Sequence, residues 1–155
     1  MANSDCKQEV REALNLQVAN FTVLWTKLHN YHWYVKGNNF FSLHDKFEEL
    51  YDTAAEYVDE LAERLLAIGG EPIGKQSEAI ERATVKEAEY DIEANAMVRQ
   101  LVQDYDNIIQ ELDEGRKVAE EAGDDRTADT FISMTTDIEK NNWMLKSFLG
   151  KEVKQ

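Results

Sequence analysis

The chain has three histidines, His29, His32 and His44, and all fall within one 16-residue stretch. On a helix, His29-x-x-His32 puts two imidazoles on nearly one face. His44-x-x-x-Glu48 puts an imidazole and a carboxylate one turn apart. Further along, Asp59-x-x-x-Glu63 puts two carboxylates one turn apart. Imidazole with carboxylate is a ligand set that suits Fe, Mn or Zn. Each residue alone has an ordinary explanation. A histidine on an apolar stripe is usually packed and hydrogen-bonded, and a helical carboxylate pair is usually solvated, here with Arg64 beside Glu63 as a partner. The clustering of every histidine in one corner is what gives metal chemistry its weight.

Other chemistries lack their residues. Nothing acidic stands three residues before any histidine; those positions hold Thr26, His29 and Phe41. The Glu-x-x-His repeat of a single-chain di-iron bundle is therefore absent. His-Glu-x-x-His is absent too, as are a P-loop and a dinucleotide fingerprint. Cys6 is the single cysteine and has no nearby histidine, so neither a thiol enzyme nor an intrachain disulfide is supported.

The elements that must position these groups are helices. Leu14, Val18, Phe21, Trp25, Leu28 and His32 recur in four-three steps, with Asp5 and Gln8 as a cap and Gly37 as a stop. A second stripe runs through Phe40, Leu43, Phe47, Leu50, Ala54, Val58, Leu61, Leu65 and Ile68 to Gly69, Gly70 and Pro72. A connector of about 20 residues follows, too long for a bare loop, so Gln76 to Arg82 is expected to be a short helix. The third stripe is Val98, Leu101, Tyr105, Ile108, Leu112, Gly115, Ala119 and Ala122, closed by Gly123. Asp124 or Asp125 caps a fourth, which carries Ala128, Phe131, Thr135, Ile138, Asn142, Leu145 and Leu149 before Gly150. No strand pattern appears. Two hairpins joined by a long middle connector are the ferritin-like variant of the four-helix bundle, an all-α fold with a crossover that contains a short helix.

Length and charge agree with a single domain over residues 1–155. The chain has 155 residues, 43% hydrophobic and 31% charged, the balance of a globular protein. No apolar run is long enough for a membrane helix, and the N-terminal residues lack a secretory pattern, so a cytoplasmic protein with no membrane partner is expected. The formal charge is −14. Such a surface attracts cations and repels phosphate backbones.

The two candidate pairs on the second helix are 15 residues apart, which is about 22 Å along its axis at 1.5 Å per residue. They point broadly one way, yet within one chain they cannot hold one ion. Two copies of that helix packed antiparallel about a two-fold axis would set each His44/Glu48 pair opposite a partner's Asp59/Glu63 pair. The axis is expected near Thr53 and Ala54, where small residues permit close approach.

The run His29-Asn-Tyr-His32-Trp33-Tyr-Val-Lys-Gly37-Asn-Asn-Phe40-Phe-Ser-Leu43-His44-Asp-Lys-Phe-Glu48 resembles the signature of the Dps family, the DNA-binding proteins from starved cells or mini-ferritins. Tyr51, then Asp59-Glu-Leu-Ala-Glu63-Arg64-Leu and Gly69-Gly70-Glu-Pro72 continue it. The resemblance extends through Gly123-Asp-Asp to Trp143-Met-Leu-Lys-Ser-Phe-Leu-Gly150, which is essentially the whole chain.

The resemblance implies a hollow homododecamer that stores iron as ferric mineral. It implies ferroxidase sites between subunits, with His32, His44 and Glu48 from one chain and Asp59 and Glu63 from its neighbour. Some relatives carry Asp where this chain has Glu48. The oxidant it implies is hydrogen peroxide in preference to dioxygen. His29 would stand behind the ligands. Trp33 resembles a family tryptophan that intercepts stray one-electron oxidants, or else packs in an interface. Glu120, Asp125 and Asp129 resemble the carboxylates of an iron-entry pore, although Asp125 and Asp129 also suit a helix start. Asp45, Glu49, Asp52 and Glu56 form a helical stripe that would nucleate mineral or simply be solvated. Family members that coat DNA carry basic tails. Here Lys7 and Arg11 stand among Asp5, Glu9 and Glu12, and Lys151 and Lys154 flank Glu152. Direct DNA binding is therefore not expected. A DNA-compacting protein and a redox-silent zinc or manganese bundle are the alternatives to the ferroxidase.

Overall fold

The computed structural model describes residues 4–150. The basic residues of the C-terminal tail, Lys151 and Lys154, lie outside the described residues. Five helices follow in order: α1 Ser4–Tyr34, α2 Phe40–Ala67, α3 Gln76–Arg82, α4 Ala94–Glu121 and α5 Asp125–Leu149. There is no strand among the described residues.

Contacts along the helices fix their directions. Arg11 reaches the Ile68 carbonyl while His32 meets His44, so α1 and α2 are antiparallel. Asn20 meets Glu111 and Lys27 meets Asp104, so α1 and α4 are antiparallel as well. Lys46 meets Asn141 and Arg64 meets Asp124, which makes α2 and α5 antiparallel. It follows that α2 and α4, on either side of the crossover, run parallel. A parallel pair needs a connector that returns the full length of the bundle, and residues 68–93 supply it. The predicted ferritin-like topology is the observed one.

The four long helices enclose one core. Phe21, Leu28, Tyr31, Phe47, Leu61, Ile108, Leu112 and Phe131 are almost wholly buried. Removing such side chains from water is the main source of the bundle's stability. Trp25, which the periodicity places on the core stripe, is instead 40% exposed. Its indole lies at the groove beside α3, where it lines a pocket of about 320 Å³ with Ala55, Val58 and Ile73.

Two helix ends are built alike. Gly69 and Gly123 take positive φ after α2 and α4. Their N–H groups bond Leu66 and Glu120 carbonyls, and the next residue's N–H reaches back to Leu65 or Ala119. This double bond pattern requires a left-handed residue, which only glycine adopts at little cost. Asp124 is the N-cap of α5 and accepts from the Thr127 N–H. Asp5, expected as a cap, is itself helical and sits in the first turn of α1. A carboxylate there still interacts favourably with the helix dipole.

One buried polar hub ties the crossover down. Asn20 Oδ1 accepts from the Thr84 and Val85 N–H groups, and its Nδ2 donates to Thr84 Oγ1 and Glu111 Oε1. Helix α1, the crossover and α4 thus meet at one residue.

Candidate metal centre

The centre forms where the C-terminal end of α1 meets the N-terminal end of α2. The link of 35–39 is short, so residues twelve apart in sequence come face to face. The His32 and His44 rings stack with centroids 3.7 Å apart and planes inclined by 13°. Each is held by the other's backbone. His32 Nδ1 donates to the His44 carbonyl at 2.7 Å, and His44 Nδ1 donates to the His32 carbonyl at 2.8 Å. A carbonyl oxygen only accepts, so each Nδ1 carries the proton. In the neutral ring this tautomer leaves the lone pair on Nε2, the form in which imidazole ligates a metal.

Glu48 lies one turn beyond His44 and is exposed. Its Oε1 accepts from the Tyr51 hydroxyl at 3.2 Å. Partial desolvation, then the Glu48 carboxylate, push the Tyr51 phenol above its ordinary range. The Tyr51 ring stacks on His29 at 3.7 Å and meets His32 edge-on at 5.4 Å. His29 Nδ1 donates to the Trp25 carbonyl at 2.7 Å. Its ring also lies 4.3 Å from Trp25 and 5.3 Å from Trp33. Trp33 is 66% exposed.

Asp59 and Glu63 are exposed on α2, and no ion pair involves them among the described residues. Arg64 does not pair with Glu63; it bonds Asp124 at 3.1 Å and Thr127 Oγ1 at 3.0 Å. Among the described residues, no three His, Cys, Asp or Glu side chains converge to hold a metal ion. The structure therefore brings His32 and His44 together, leaves Glu48 one turn beyond His44 with its carboxylate bonded to Tyr51, and leaves Asp59 and Glu63 far along the same helix.

The burial pattern corrects one expectation about that helix. Ala54 is 2% exposed and faces the chain's own core, so it is not available to a second copy. The outward face carries His44, Glu48, Tyr51, Ala55, Asp59 and Leu66, and Ala55 is the small residue near its middle. The step of 100° per residue puts Ala54 with Leu50, Tyr57 and Leu61, and Ala55 with the candidate ligands.

The remaining acidic candidates differ in their pairing. Glu120 Oε2 accepts from Arg116 at 2.8 Å, so its charge is partly offset. Asp125 and Asp129 are exposed, one turn apart at the start of α5. Glu49 pairs with Lys46 at 3.2 Å, whereas Asp45, Asp52 and Glu56 are exposed. Sequence spacing gave Tyr51 no part in the site; its place three residues after Glu48 and seven after His44 was the available signal.

Fold and site define a ferritin-like protein. The ferritin-like domain family matches residues 11–153. Within that class, the chain is 51% identical over 143 residues to General stress protein 20U of Bacillus subtilis, spanning 92% of this chain and 99% of that one. It is 46% identical over 144 residues to DNA protection during starvation protein 2 of Bacillus anthracis, spanning 93% and 99%. The crystal structure of Dps from Staphylococcus aureus superposes with a TM-score of 0.92 at 54% identity, covering 97% of this chain and 99% of that one. The chain belongs to the Dps family of ferritin-like proteins. None of its described helices is long and apolar enough to cross a membrane.

Proposed function

We propose that the protein is an iron-storing ferroxidase that oxidises Fe(II) with hydrogen peroxide at sites shared between two subunits. The observation that carries this reading is the reciprocal lock of His32 and His44 through their Nδ1 atoms, with Glu48 one helical turn beyond His44. Two imidazoles and one carboxylate are half a coordination sphere for Fe(II). Asp59 and Glu63 of a second copy, brought over by a two-fold axis near Ala55, supply the other half. Two Fe(II) ions held together deliver both electrons to one peroxide. Its O–O bond then breaks to two waters, with two protons taken up and no hydroxyl radical released.

The rest of the molecule serves storage. Twelve chains enclose a cavity for the ferric product. Asp125 and Asp129, with Glu120, line the iron's entry, and Asp45, Glu49 and Asp52 start the mineral. Membership of the Dps family and a charge of −14 support a cationic cargo.

The test is anaerobic loading with Fe(II), followed in separate samples by peroxide or air. Ferric absorbance that rises much faster with peroxide, with the iron staying soluble in a large particle, is the expected result. Oxidation no faster than in buffer, with iron precipitating, would move a redox-silent metal-binding role to the front.

A further inference from the structure

The last turn of α1, the end of the crossover and the first turn of α4 surround a cavity of about 720 Å³. That volume suits a small organic ligand. Two residues turn a helix by about 200°, so Asn30 and Tyr34 face away from the His32–His44 centre. Two exposed tyrosines line the cavity, and their rings meet edge to face: Tyr34 and Tyr90 lie 5.5 Å apart with planes inclined by 87°. Glu89, Asp91 and Glu93 also line it, and no ion pair involves them among the described residues. Lys36 is the one cation among the described lining residues. Asn30 completes the wall, and its Oδ1 is buried with no hydrogen-bond partner. A buried acceptor left unpaired is costly, and a donor brought to it removes that cost. Carboxylates at the start of α4 suit the helix dipole. That accounts for Asp91 and Glu93, but not for the tyrosine pair or for the Asn30 oxygen.

We propose that this cavity is a binding site for an alkyl polyamine, an organic cation whose ammonium groups are separated by methylene segments. Each part of the lining matches a part of that ligand. The Tyr34 and Tyr90 rings offer their faces to an ammonium group and apolar surface to the methylenes beside it. Glu89, Asp91 and Glu93 supply the opposite charge, three carboxylates against the one lysine. The Asn30 oxygen accepts an N–H that the protein itself does not provide. An inorganic cation would meet the carboxylates as well, but it has no methylenes to lay against a tyrosine. The rings therefore select an organic ammonium over a metal ion. The site joins α1, the crossover and α4, and it is separate from the iron chemistry proposed above.

The test is calorimetric titration of the iron-free, full-length protein with spermidine. It is done in excess magnesium, which saturates the diffuse negative charge of a chain of −14. Saturable binding of one spermidine per chain is the expected result. Tyr90→Leu keeps the charge and removes the ring, and should weaken binding roughly three- to tenfold. Tyr90→Phe keeps the ring and should bind as the wild type does. Asp91 has a φ of 60°, a conformation that asparagine also tolerates. Asp91→Asn therefore keeps the backbone and removes one charge, and should weaken binding about two- to fivefold. Glu139→Gln removes the same charge from an exposed position on α5 and should change nothing. No saturable binding in magnesium overturns the proposal. So does equal weakening in Asp91→Asn and Glu139→Gln, which would mean diffuse counterion binding. Unchanged affinity in Tyr90→Leu, with unaltered helix content by circular dichroism, overturns it as well, because the rings would then play no part.

Discussion

Replacing His32 by alanine removes more than one nitrogen. His44 loses its stacking partner, and the His44 carbonyl loses its donor. Fe(II) oxidation by His32→Ala should slow on the order of 10–100-fold, the range seen when metal ligands lose the groups that orient them. Asp59→Ala should slow it comparably, although Asp59 stands about 22 Å along α2 from the histidine pair. Unchanged helix content by circular dichroism with normal oxidation in both variants would remove the site assignment. A second prediction concerns the core. Lys27 and Asp104 form a 2.7 Å ion pair between α1 and α4, with side chains 2% and 11% exposed. Burial raises the Asp104 carboxyl, and Lys27 only partly draws it back. Lys27→Met strands that carboxylate and should cost about 3–5 kcal/mol in urea melts. A raised folded pKa means the folded state holds the proton more tightly than the unfolded chain. The loss should therefore shrink as pH falls through the carboxylate range. Lys27→Met with Asp104→Leu should recover most of it. At this scale the sequence was legible where residue types cluster, as with His32 and His44, whose rings do come face to face. The reciprocal lock was not, because it depends on how a five-residue link brings two helices face to face. The Lys27–Asp104 pair joins positions 77 residues apart, a distance that periodicity does not bridge.

The boundaries of the helices were legible wherever a residue has a conformational reason to stand there. Gly69, Gly123 and Gly150 take positive φ where the chain leaves α2, α4 and α5, and Gln76–Arg82 is helical as expected. The start of α4 was less legible. It begins at Ala94, after Glu93, whose side chain makes no capping bond, so no polar signal marks it. Asp124 is the opposite case. Its carboxylate accepts from the Thr127 N–H at 3.0 Å and the Thr127 hydroxyl at 2.5 Å, and pairs with Arg64 at 3.1 Å. One residue thereby caps α5 and joins it to α2. Asp124→Ala should destabilise the chain by about 1–2 kcal/mol in thermal or urea melts. The pH dependence has a definite sign. Burial pushes the Asp124 carboxyl up, but the Thr127 hydroxyl and N–H and the Arg64 guanidinium outweigh it and hold the group below its ordinary range. A depressed folded pKa stabilises above the unfolded value and is lost as pH falls through the folded one. The gap between wild type and Asp124→Ala should be full near neutrality and close in strong acid.

On the scale of the whole molecule, the topology was legible from one number, the length of the middle connector. A short link there would have forced α2 and α4 antiparallel, and the long one lets them run parallel. The face that α2 offers a second copy was less legible, because Ala54 and Ala55 look alike until burial separates them. If that face carries the two-fold contact, Ala55→Glu should place like charges across it. The proposed twelve-chain particle, about 215 kDa at 17.9 kDa per chain, should then fall towards the monomer in light scattering, and iron oxidation should fall with it. Charge leads to the last prediction. Relatives bear names that refer to protecting DNA, yet this chain carries −14, so twelve would carry about −168 before counterions bind. Binding to duplex DNA draws its affinity from lysine and arginine displacing condensed cations. The α1 segment before its first buried residue, Val10, holds Lys7 against Asp5 and Glu9. The repulsive term should therefore dominate near physiological salt. Gel shifts of a linear duplex should show no retardation without divalent metal. Because the repulsion is long-ranged, lowering the salt should strengthen it and leave the DNA still free. Retardation that grows as salt falls would mean that a basic surface exists on the assembled particle, and DNA compaction would then be part of the function.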